Sequence, residues 1–206
     1  MSLQQKNIAK MQRRLLVLGA SRYQLPAIQS AKARGLYVIT ADNIASNPGH
    51  LQADLTLDID TTDQERMLKA ARKLQINGVI APCTDVAVPT AALLAQELGL
   101  SGPTPQAARV LASKIRFRLF QRDHEFPTPP FAVLPEASAD AFAIVTKCTC
   151  VIKPEGSSGS KGIFIVHDEA ELRSRLPQTL AFSRTKEAVV EQFLSGQQGT
   201  IEGILK

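Results

Sequence analysis

The sequence predicts an α/β protein in two parts, a helix-covered parallel sheet followed by a smaller α+β unit with an antiparallel sheet. Three observations predict this division. Between residues 13 and 112, short apolar runs alternate with segments of helical length, which is typical of a parallel sheet with helices on both faces. A proline cluster at 126–130 interrupts that pattern. Beyond it, apolar runs that read as hairpins are separated by a helix, which indicates an antiparallel sheet.

The first part, residues 13–112, is predicted to form one domain after a flexible tail at 1–12. A capping box of Thr62 and Glu65 predicts the start of one helix, and Thr104 followed by Pro105 predicts the start of another. The predicted elements are strand 15–18, a helix with Pro26 in its first turn that stops at Gly35, strands 36–41 and 55–59, a helix ending at Leu74, strand 78–81, and helices 87–98 and 106–112.

The second part is predicted to be residues 131–206, joined to the first by a helical linker at 113–130. The linker contains a helix at 113–122 and the proline cluster. The elements predicted after it are strand 131–133, helix 139–146, paired strands 151–153 and 163–166, helix 169–182, and strands 188–194 and 200–205.

The composition is that of a soluble protein. The 206 residues are 44% hydrophobic and 21% charged, with a mean hydropathy of -0.03. No apolar run reaches about 18 residues and no signal-peptide pattern is present, so we expect no membrane association, no secretion and a cytoplasmic location. The three cysteines, Cys83, Cys148 and Cys150, match neither a disulfide framework nor a zinc site.

The net charge of +5 does not by itself indicate a nucleic-acid-binding protein. The basic residues are dispersed along the chain, and only 5% of the residues are aromatic. Nucleic-acid binding requires a basic stripe or patch, which this distribution does not provide. We therefore expect no nucleic-acid partner, and the charge is compatible with a small anionic ligand.

Polar side chains follow several predicted strands of the first domain. The carboxyl ends of parallel strands form the crevice in which open α/β sheets bind ligands, so we predict a weak substrate site there. The glycine fingerprint of a dinucleotide-binding protein is absent, because Ser21 and Gln24 replace the second and third glycines after Gly19. A tight turn without a ligand is the alternative. The candidate substrate-binding residues are Ser21, Arg22, Asp42 and Asp85.

A glycine- and serine-rich loop between two apolar strands is the main candidate for a phosphate-binding lid. Its amides and hydroxyls can donate to phosphate oxygens, and its glycines allow a close backbone approach. A strand follows the loop where a Walker-type loop would open a helix, so the loop is predicted to be a hairpin flap. A simple connector is the alternative. The loop residues are Ser157, Ser158, Gly159, Ser160, Lys161 and Gly162.

Two lysines and one strand end complete the candidate site. Lys153 ends the strand before the loop, and Lys114 begins a predicted helix; each has an ordinary surface position as its alternative. The strand end at 189–196 offers backbone donors and acceptors beside apolar side chains, which suits a purine. An ordinary edge strand is the alternative for this segment.

Taken in order, Lys114, the Val-Ile-Lys-Pro strand at 151–154, the Gly/Ser loop and the Val-Glu-Gln-Phe-Leu segment at 190–194 resemble the ATP-grasp superfamily. The resemblance spans nearly the whole chain, because the first domain looks like the Rossmann-like substrate domain that precedes the ATP-grasp fold in glycinamide ribonucleotide synthetase, biotin carboxylase and carbamoyl-phosphate synthase. The loop and the Cys83-Thr84-Asp85 segment are most similar to members labelled phosphoribosylglycinamide synthetase-like or carbamoyl-phosphate synthase-like.

The resemblance implies that ATP is the cofactor and that residues 131–206 are the small lobe of an ATP-grasp fold. Lys114 and Lys153 match the residues that contact the phosphates, and the flap would close over them. Glu191 with Phe193 or Leu194 matches the hinge whose backbone reads adenine. Gln198 stands where the family commonly has a ribose-binding Glu, and its neutral hydrogen bond would be the weaker one.

The family reaction activates a carboxylate as an acyl phosphate with Mg-ATP, after which an amine displaces phosphate. The resemblance therefore implies small carboxylate and amine substrates. The lobe that supplies the family's Mg²⁺ ligands lies beyond Lys206, so no metal-binding or catalytic residue is assigned. We expect a fragment or truncated product that does not turn over ATP alone.

Two other classes of function stay open at the level of sequence. One is a non-catalytic nucleotide-binding or regulatory module that keeps half of the cleft. The other is a Rossmann-type oxidoreductase, which the missing glycines disfavour. A homodimer is compatible with the sequence, which does not define an oligomeric state.

Overall fold

A computed structural model describes residues 12–134, 139–157, 159–197 and 199 of the chain. The chain divides into two compact units, Met1–Ala112 and Ser113–Lys206. Of the sequence predictions, the tail up to residue 11 and the strand at 200–205 lie outside the described residues, as do Ser158 and Gln198.

The first unit contains the predicted parallel sheet. Its elements are β1 (Arg14–Leu18), α1 (Leu25–Ala33), β2 (Tyr37–Ala41), β3 (Leu55–Leu57), α2 (Gln64–Leu74), β4 (Gly78–Ile80), α3 (Val88–Glu97) and α4 (Pro105–Leu111). The described strands lie in the order β3-β2-β1-β4, and every pairing is parallel. Two short 3-10 helices, Pro48–Gln52 and Asp85–Ala87, interrupt the loops at the carboxyl ends of β2 and β4.

Both faces of this sheet are buried. Leu16, Leu18 and Ile39 pack with Met67 of α2, whereas Val17 packs on the opposite face in a separate apolar cluster. Because successive side chains of a strand point to opposite faces, a continuous apolar run is what a strand covered on both faces requires.

The cap of α2 differs from the prediction. Asp63, and not Thr62, is the N-cap residue, and its carboxylate accepts a hydrogen bond from the amide of Arg66. The hydroxyl of Thr62 instead donates to Asp60 at 2.7 Å. Two adjacent residues could each cap a helix, and a carboxylate near the positive helix N-terminus is favoured by the helix dipole.

The second unit contains the predicted antiparallel sheet. Its elements are α5 (Lys114–Asp123), β5 (Phe131–Leu134), α6 (Ala139–Val145), β6 (Cys150–Pro154), β7 (Phe164–Val166), α7 (Glu169–Ala181) and β8 (Ala188–Gln192). The described strands lie in the order β5-β8-β6-β7. The segment 113–130, predicted to be a helical linker, contains the helix α5, which lies in this unit and contributes to its ion pairs.

The two faces of this antiparallel sheet have different characters. Ile152 of β6 and Val190 of β8 are fully buried against residues of α6 and α7. Strand alternation therefore directs Val151, Lys153 and Glu191 to the opposite face, where Val151 and Glu191 are direct partners across the two strands. The sequence prediction for Lys153, on the same face as Val151, agrees with this register.

Candidate functional site

An ion-pair network lies on the face of the second sheet that is turned away from its apolar core. Arg118 of α5 donates from Nε to Oε2 of Glu191 at 2.6 Å and from Nη2 to Oε1 at 3.2 Å. The Nζ of Lys153 donates to Oε1 of the same carboxylate. One carboxylate thus holds two cations, and bidentate geometry makes the arginine contact both strong and directional.

The carboxylate of Glu191 is ionised in this environment. Its side chain is 5% exposed. Burial raises the pKa of Glu191, but the hydrogen bonds and charges of Arg118 and Lys153 outweigh burial and hold the pKa below its ordinary value. The network therefore carries two positive charges and one negative charge at neutral pH.

The start of α5 is joined to the root of the Gly/Ser loop at two points. Lys114 donates from Nζ to the backbone carbonyl of Ser157 at 2.6 Å. The buried carboxylate of Glu155 accepts the amide of Ile115 at 3.2 Å, at the helix N-terminus, where a negative charge is favoured. These contacts position the ammonium of Lys114 beside the loop.

The far end of the loop is packed against α7. Gly162 has a φ of +72°, its carbonyl accepts the hydroxyl of Thr179 at 3.0 Å, and a Cβ at this position would lie 2.7 Å from the ring of Phe182. Gly159 has a φ of +69°, and a Cβ at that position would have no atom within 4 Å. Residues 159–161 are exposed, so the tip of the loop is accessible to a ligand.

Two cavities share the ion-pair network as a common wall. A cavity of about 150 Å³ is lined by three cations and one carboxylate, so its net positive charge suits a polyanion. A cavity of about 290 Å³ has several apolar lining residues and suits a ring system. The first is lined by Lys114, Phe117, Arg118, Lys153 and Glu191, and the second by Arg118, Pro129, Val151, Lys153, Glu191, Gln192, Phe193 and Leu194.

The backbone hydrogen bonds at the end of β8 indicate which of the two predicted hinge residues can donate its amide to a purine. The amide of Phe193 donates to the carbonyl of Thr149 at 2.9 Å, so this N–H is used inside the protein. Leu194 follows directly, lines the larger cavity and is 66% exposed. Of the two predicted hinge residues, Leu194 is therefore the better placed to offer its amide to a ligand.

Of the predicted substrate residues of the first unit, Asp42 is held by hydrogen bonds to two neighbouring loops. The Oδ2 of Asp42 accepts the amide of Ala20 and the side-chain amide of Asn47, both at 2.8 Å, and its Oδ1 accepts the amide of Ile44 at 3.0 Å. These bonds hold the β2–β3 loop against the turn that follows β1. The carboxylate of Asp42 therefore organises this edge of the sheet.

Gln24 fills the turn after β1. Its Oε1 accepts both the amide and the hydroxyl of Ser21, and its Nε2 donates to the carbonyl of Pro82 at 2.6 Å. The side chain is buried and comes within 3.1 Å of the position that a Cβ on Gly19 would take. A buried side chain thus occupies the turn in which a dinucleotide-binding protein keeps glycines, which argues against a pyrophosphate there.

The other two predicted substrate residues are exposed. Arg22 donates from Nη2 to the hydroxyl of Tyr23 at 2.8 Å, and this hydrogen bond raises the pKa of Arg22. Asp85 begins the short 3-10 helix after β4 and is also exposed. Arg22 and Asp85 are therefore accessible at this edge of the sheet, whereas Ser21 and Asp42 are engaged in internal hydrogen bonds.

Two residues of the second unit were missed by the sequence reasoning. Arg118 follows Lys114 by four positions, so helical spacing could have placed both cations on one face of α5. Glu155 offered no such signal, because its partner, the amide of Ile115, lies 40 positions earlier in the chain.

The described residues contain neither a metal cluster nor a membrane span. In that part of the chain, no group of three or more His, Cys, Asp or Glu side chains is arranged to hold a metal ion. No helix there is both long enough and apolar enough to cross a membrane.

Comparison with known proteins relates the chain to phosphoribosylglycinamide formyltransferases in sequence and to several synthetases in fold. No family model matches the sequence. The chain is 31% identical over 189 residues to a formate-dependent phosphoribosylglycinamide formyltransferase from Burkholderia lata, covering 88% of this chain and 46% of the relative. It is 32% identical over 191 residues to the protein of the same name from Burkholderia vietnamiensis, with the same coverage. The chain thus spans about half the length of the curated relatives it matches.

Solved structures of two synthetases and of a biotin carboxylase domain have a similar fold. An N5-carboxyaminoimidazole synthetase from Staphylococcus aureus complexed with ADP matches with a TM-score of 0.71 and 17% identity, over 90% of this chain and 49% of that one. A phosphoribosylglycinamide synthetase from Anaerococcus prevotii matches with a TM-score of 0.63 and 21% identity, over 90% and 46%. The biotin carboxylase domain of a Hydrogenobacter thermophilus 2-oxoglutarate carboxylase matches with a TM-score of 0.70 and 19% identity, over 88% and 44%.

These matches confirm the resemblance drawn from the motifs. The chain has the fold of the N-terminal portion of ATP-grasp ligases, a Rossmann-like parallel-sheet unit followed by the small α+β lobe.

Proposed function

We propose that the second unit binds an adenine nucleotide and serves as the ATP-binding portion of an ATP-dependent ligase that joins a carboxylate to an amine. The observation that carries this proposal is the pair of cavities that share the Arg118–Glu191–Lys153 network. One is rich in cations, and in the other four of the eight lining residues are apolar, so the pair suits the phosphate and purine ends of a nucleotide.

The residues present fit the phosphates of ATP. Lys153 and Lys114 each have three N–H donors, and the described contacts take one from each ammonium, so both can donate to a phosphate oxygen as well. The exposed tip of the loop adds backbone amides and the charge of Lys161. In this proposal Ser157, Ser158, Ser160 and the two loop glycines complete the lid.

The residues at the end of β8 fit the purine. Val151 and Phe193 supply apolar walls, and the backbone of Leu194 is the proposed donor to a ring nitrogen. Gln198 is proposed to contact the ribose, as the resemblance implies.

Bound Mg-ATP would supply the phosphoryl group that converts a carboxylate into an acyl phosphate. The role proposed for this chain is to bind and orient the triphosphate, with Lys114 and Lys153 neutralising its charge. Mg²⁺ is proposed to enter the site already bound to the phosphates of ATP. Turnover by the 206-residue chain alone is a separate question, on which the prediction from sequence is inactivity.

The first unit is proposed to bind the small-molecule substrates through Arg22 and Asp85, with Ser21 and Asp42 shaping the loops around them. The name of the Burkholderia relatives includes formate, so formate is the first carboxylate to test in the natural full-length protein. A cytoplasmic location follows from a metabolic role of this kind and is part of the proposal.

The test is a binding measurement with ATP by isothermal titration calorimetry. Lys153→Met is expected to weaken ATP binding by roughly 10- to 100-fold, since a charge-assisted hydrogen bond contributes about 1.5–3 kcal/mol. The loss should be larger at low salt, because the contact is ionic. Lys147→Met is the matched control, because Lys147 is an exposed lysine of the same unit.

Equal ATP affinity in wild type and Lys153→Met would remove Lys153 from the site. Binding of NAD in preference to ATP would reject the adenine mononucleotide assignment. To separate a ligase from a non-catalytic nucleotide-binding module, the full-length protein is assayed for carboxylate-dependent ADP release, and release without a carboxylate would not support a ligase.

A further inference from the structure

Arg118 has no counterpart among the motifs that carry the family resemblance, yet it donates more hydrogen bonds than Lys153 does in the ion-pair network. It lies four residues after Lys114 on α5, so the helix presents both cations to the same cavity. Its role can be derived from where its nitrogens donate.

The guanidinium of Arg118 is committed to protein acceptors. Its Nε and Nη2 donate to the two oxygens of Glu191, and its Nη1 donates to Oε1 of Gln121 at 2.6 Å. All three nitrogens therefore have a partner, and the side chain is only 21% exposed. A planar fork held in this way is suited to fixing a carboxylate and poorly placed to turn toward a ligand.

The fixed carboxylate of Glu191 in turn restrains the ammonium of Lys153. The oxygen Oε1 accepts from both Arg118 and Lys153, so the position of the carboxylate sets the position of the ammonium. The carboxylate is almost fully buried, which gives it few alternative orientations.

Arg118 also changes how much positive charge Lys153 can offer. With Arg118 present, the carboxylate is shared between two cations and the network keeps a net positive charge. Without Arg118, Glu191 and Lys153 would neutralise each other, and the ammonium would gain less from an incoming anion.

We propose that Arg118 is a positioning residue, which orients Glu191 and thereby holds Lys153, with its charge only partly compensated, toward the phosphate-binding cavity. The inference rests on the proposed nucleotide binding for its functional consequence. Its structural part, the positioning of Lys153 by Arg118, does not depend on a bound ligand.

The experiment uses the complete 206-residue chain and two readouts. The first is the ¹⁵Nζ resonance of Lys153 in the ligand-free protein, assigned by its loss in Lys153→Met. The second is the affinity for ATP and for adenosine, measured in wild type, Arg118→Met, Lys153→Met and the double variant. Arg116→Met is the matched control, because Arg116 is an exposed arginine of the same helix.

The expected result has three parts. Arg118→Met shifts the Lys153 resonance and lowers ATP affinity by roughly tenfold, as the loss of one charge-assisted contact would. Adenosine affinity stays unchanged, because adenosine has no phosphate. In the Lys153→Met background, Arg118→Met lowers ATP affinity by less than it does in wild type, because the part of its action that passes through Lys153 is already lost and only the charge of the cavity changes further. Arg116→Met changes none of these quantities.

Two results would overturn the inference. The first is an unchanged Lys153 resonance in Arg118→Met, and the second is an undiminished loss of ATP affinity in the Lys153→Met background, which would indicate direct contact of Arg118 with phosphate. If wild type binds no adenine nucleotide, the proposed function fails, and the Lys153 resonance still decides the inference. If Arg118→Met does not fold, Arg118→Lys replaces it, with a smaller shift of the same resonance expected because lysine lacks the fork.

Discussion

The two candidate sites of this protein differ in how their polar groups are used. At the carboxyl edge of the first sheet, Asp42 accepts hydrogen bonds from backbone amides of neighbouring loops. Gln24 accepts from a serine and donates to a backbone carbonyl there. On the outer face of the second sheet, Arg118 and Lys153 share the single carboxylate of Glu191, and positive charge is left over.

This difference gives a criterion for distinguishing polar groups that stabilise loops from polar groups that bind a ligand. A polar group whose bonds are satisfied inside the protein stabilises a loop and has little left for a ligand. A group of like charges near one opposite charge is costly without a ligand and is stabilised by an anion. By this criterion the second unit holds the stronger candidate site.

Glu191→Gln is expected to give the largest effect on stability. It leaves Arg118 and Lys153 half-buried without their anion, which costs about 3 kcal/mol, the lower end of the range for breaking a buried ion pair. The free energy of unfolding in urea measures the loss. Glu125→Gln, at an exposed position of the same unit, is the control and should change stability little.

The same carboxylate makes stability depend on pH. The pKa of Glu191 is lowered in the folded protein, so its contribution is fully present above the unfolded-state pKa and is lost as the pH falls through the lowered pKa. Glu191→Gln should remove this part of the acid dependence. An identical acid profile in wild type and variant would show that the network does not stabilise the fold.

Gly162→Ala should give the next largest loss of stability. Comparison with Gly159→Ala distinguishes the role of the loop root from that of its tip. A methyl group at Gly162 meets Phe182 and requires a left-handed backbone, which together cost roughly 2–3 kcal/mol of unfolding free energy. Gly159→Ala has the backbone cost alone, about 1 kcal/mol, because the space around it is open.

Urea unfolding of both glycine variants, followed by ATP titration, checks this contrast. A weaker ATP affinity in Gly159→Ala with a nearly unchanged fold would support the tip as a phosphate lid. Equal stability losses at the two positions would contradict the packing of Gly162 against Phe182.

Asp42→Ala, in the first unit, should give a smaller effect than Gly162→Ala. The change leaves the amides of Ala20 and Ile44 without their acceptor and should cost about 1–2 kcal/mol of unfolding free energy. Asp85→Ala is the matched control, because Asp85 is exposed, and it should stay within about 0.5 kcal/mol of wild type. Hydrogen exchange of the Ala20 amide reports the local loss, and unchanged protection would contradict the organising role of Asp42.

Local rules account for what could be predicted from the sequence. Strand alternation put Lys153 on the face opposite Ile152, and the apolar runs identified both sheets. The cap of α2 shows where such rules stop, because Asp63 and Thr62 are both good capping residues and the choice between them depends on the neighbouring Asp60.

Contacts between distant residues were beyond prediction. The bond from Glu155 to the amide of Ile115 and the bonds from Asp42 to the turn after β1 depend on how loops pack, which no local spacing encodes. Arg118 is an intermediate case, since its helical spacing from Lys114 was visible and its partner on β8 was not.

The anchoring of the Gly/Ser loop at both roots has a consequence for the kinetics of ligand exchange. Ser157 is held by Lys114, and Gly162 is held by Thr179, so both roots of the loop are fixed before any ligand arrives. Fixed roots lower the conformational entropy that the proposed nucleotide would remove on binding. We therefore expect exchange of that nucleotide to be limited by motion on the fast timescale of short loops, and not by a larger rearrangement.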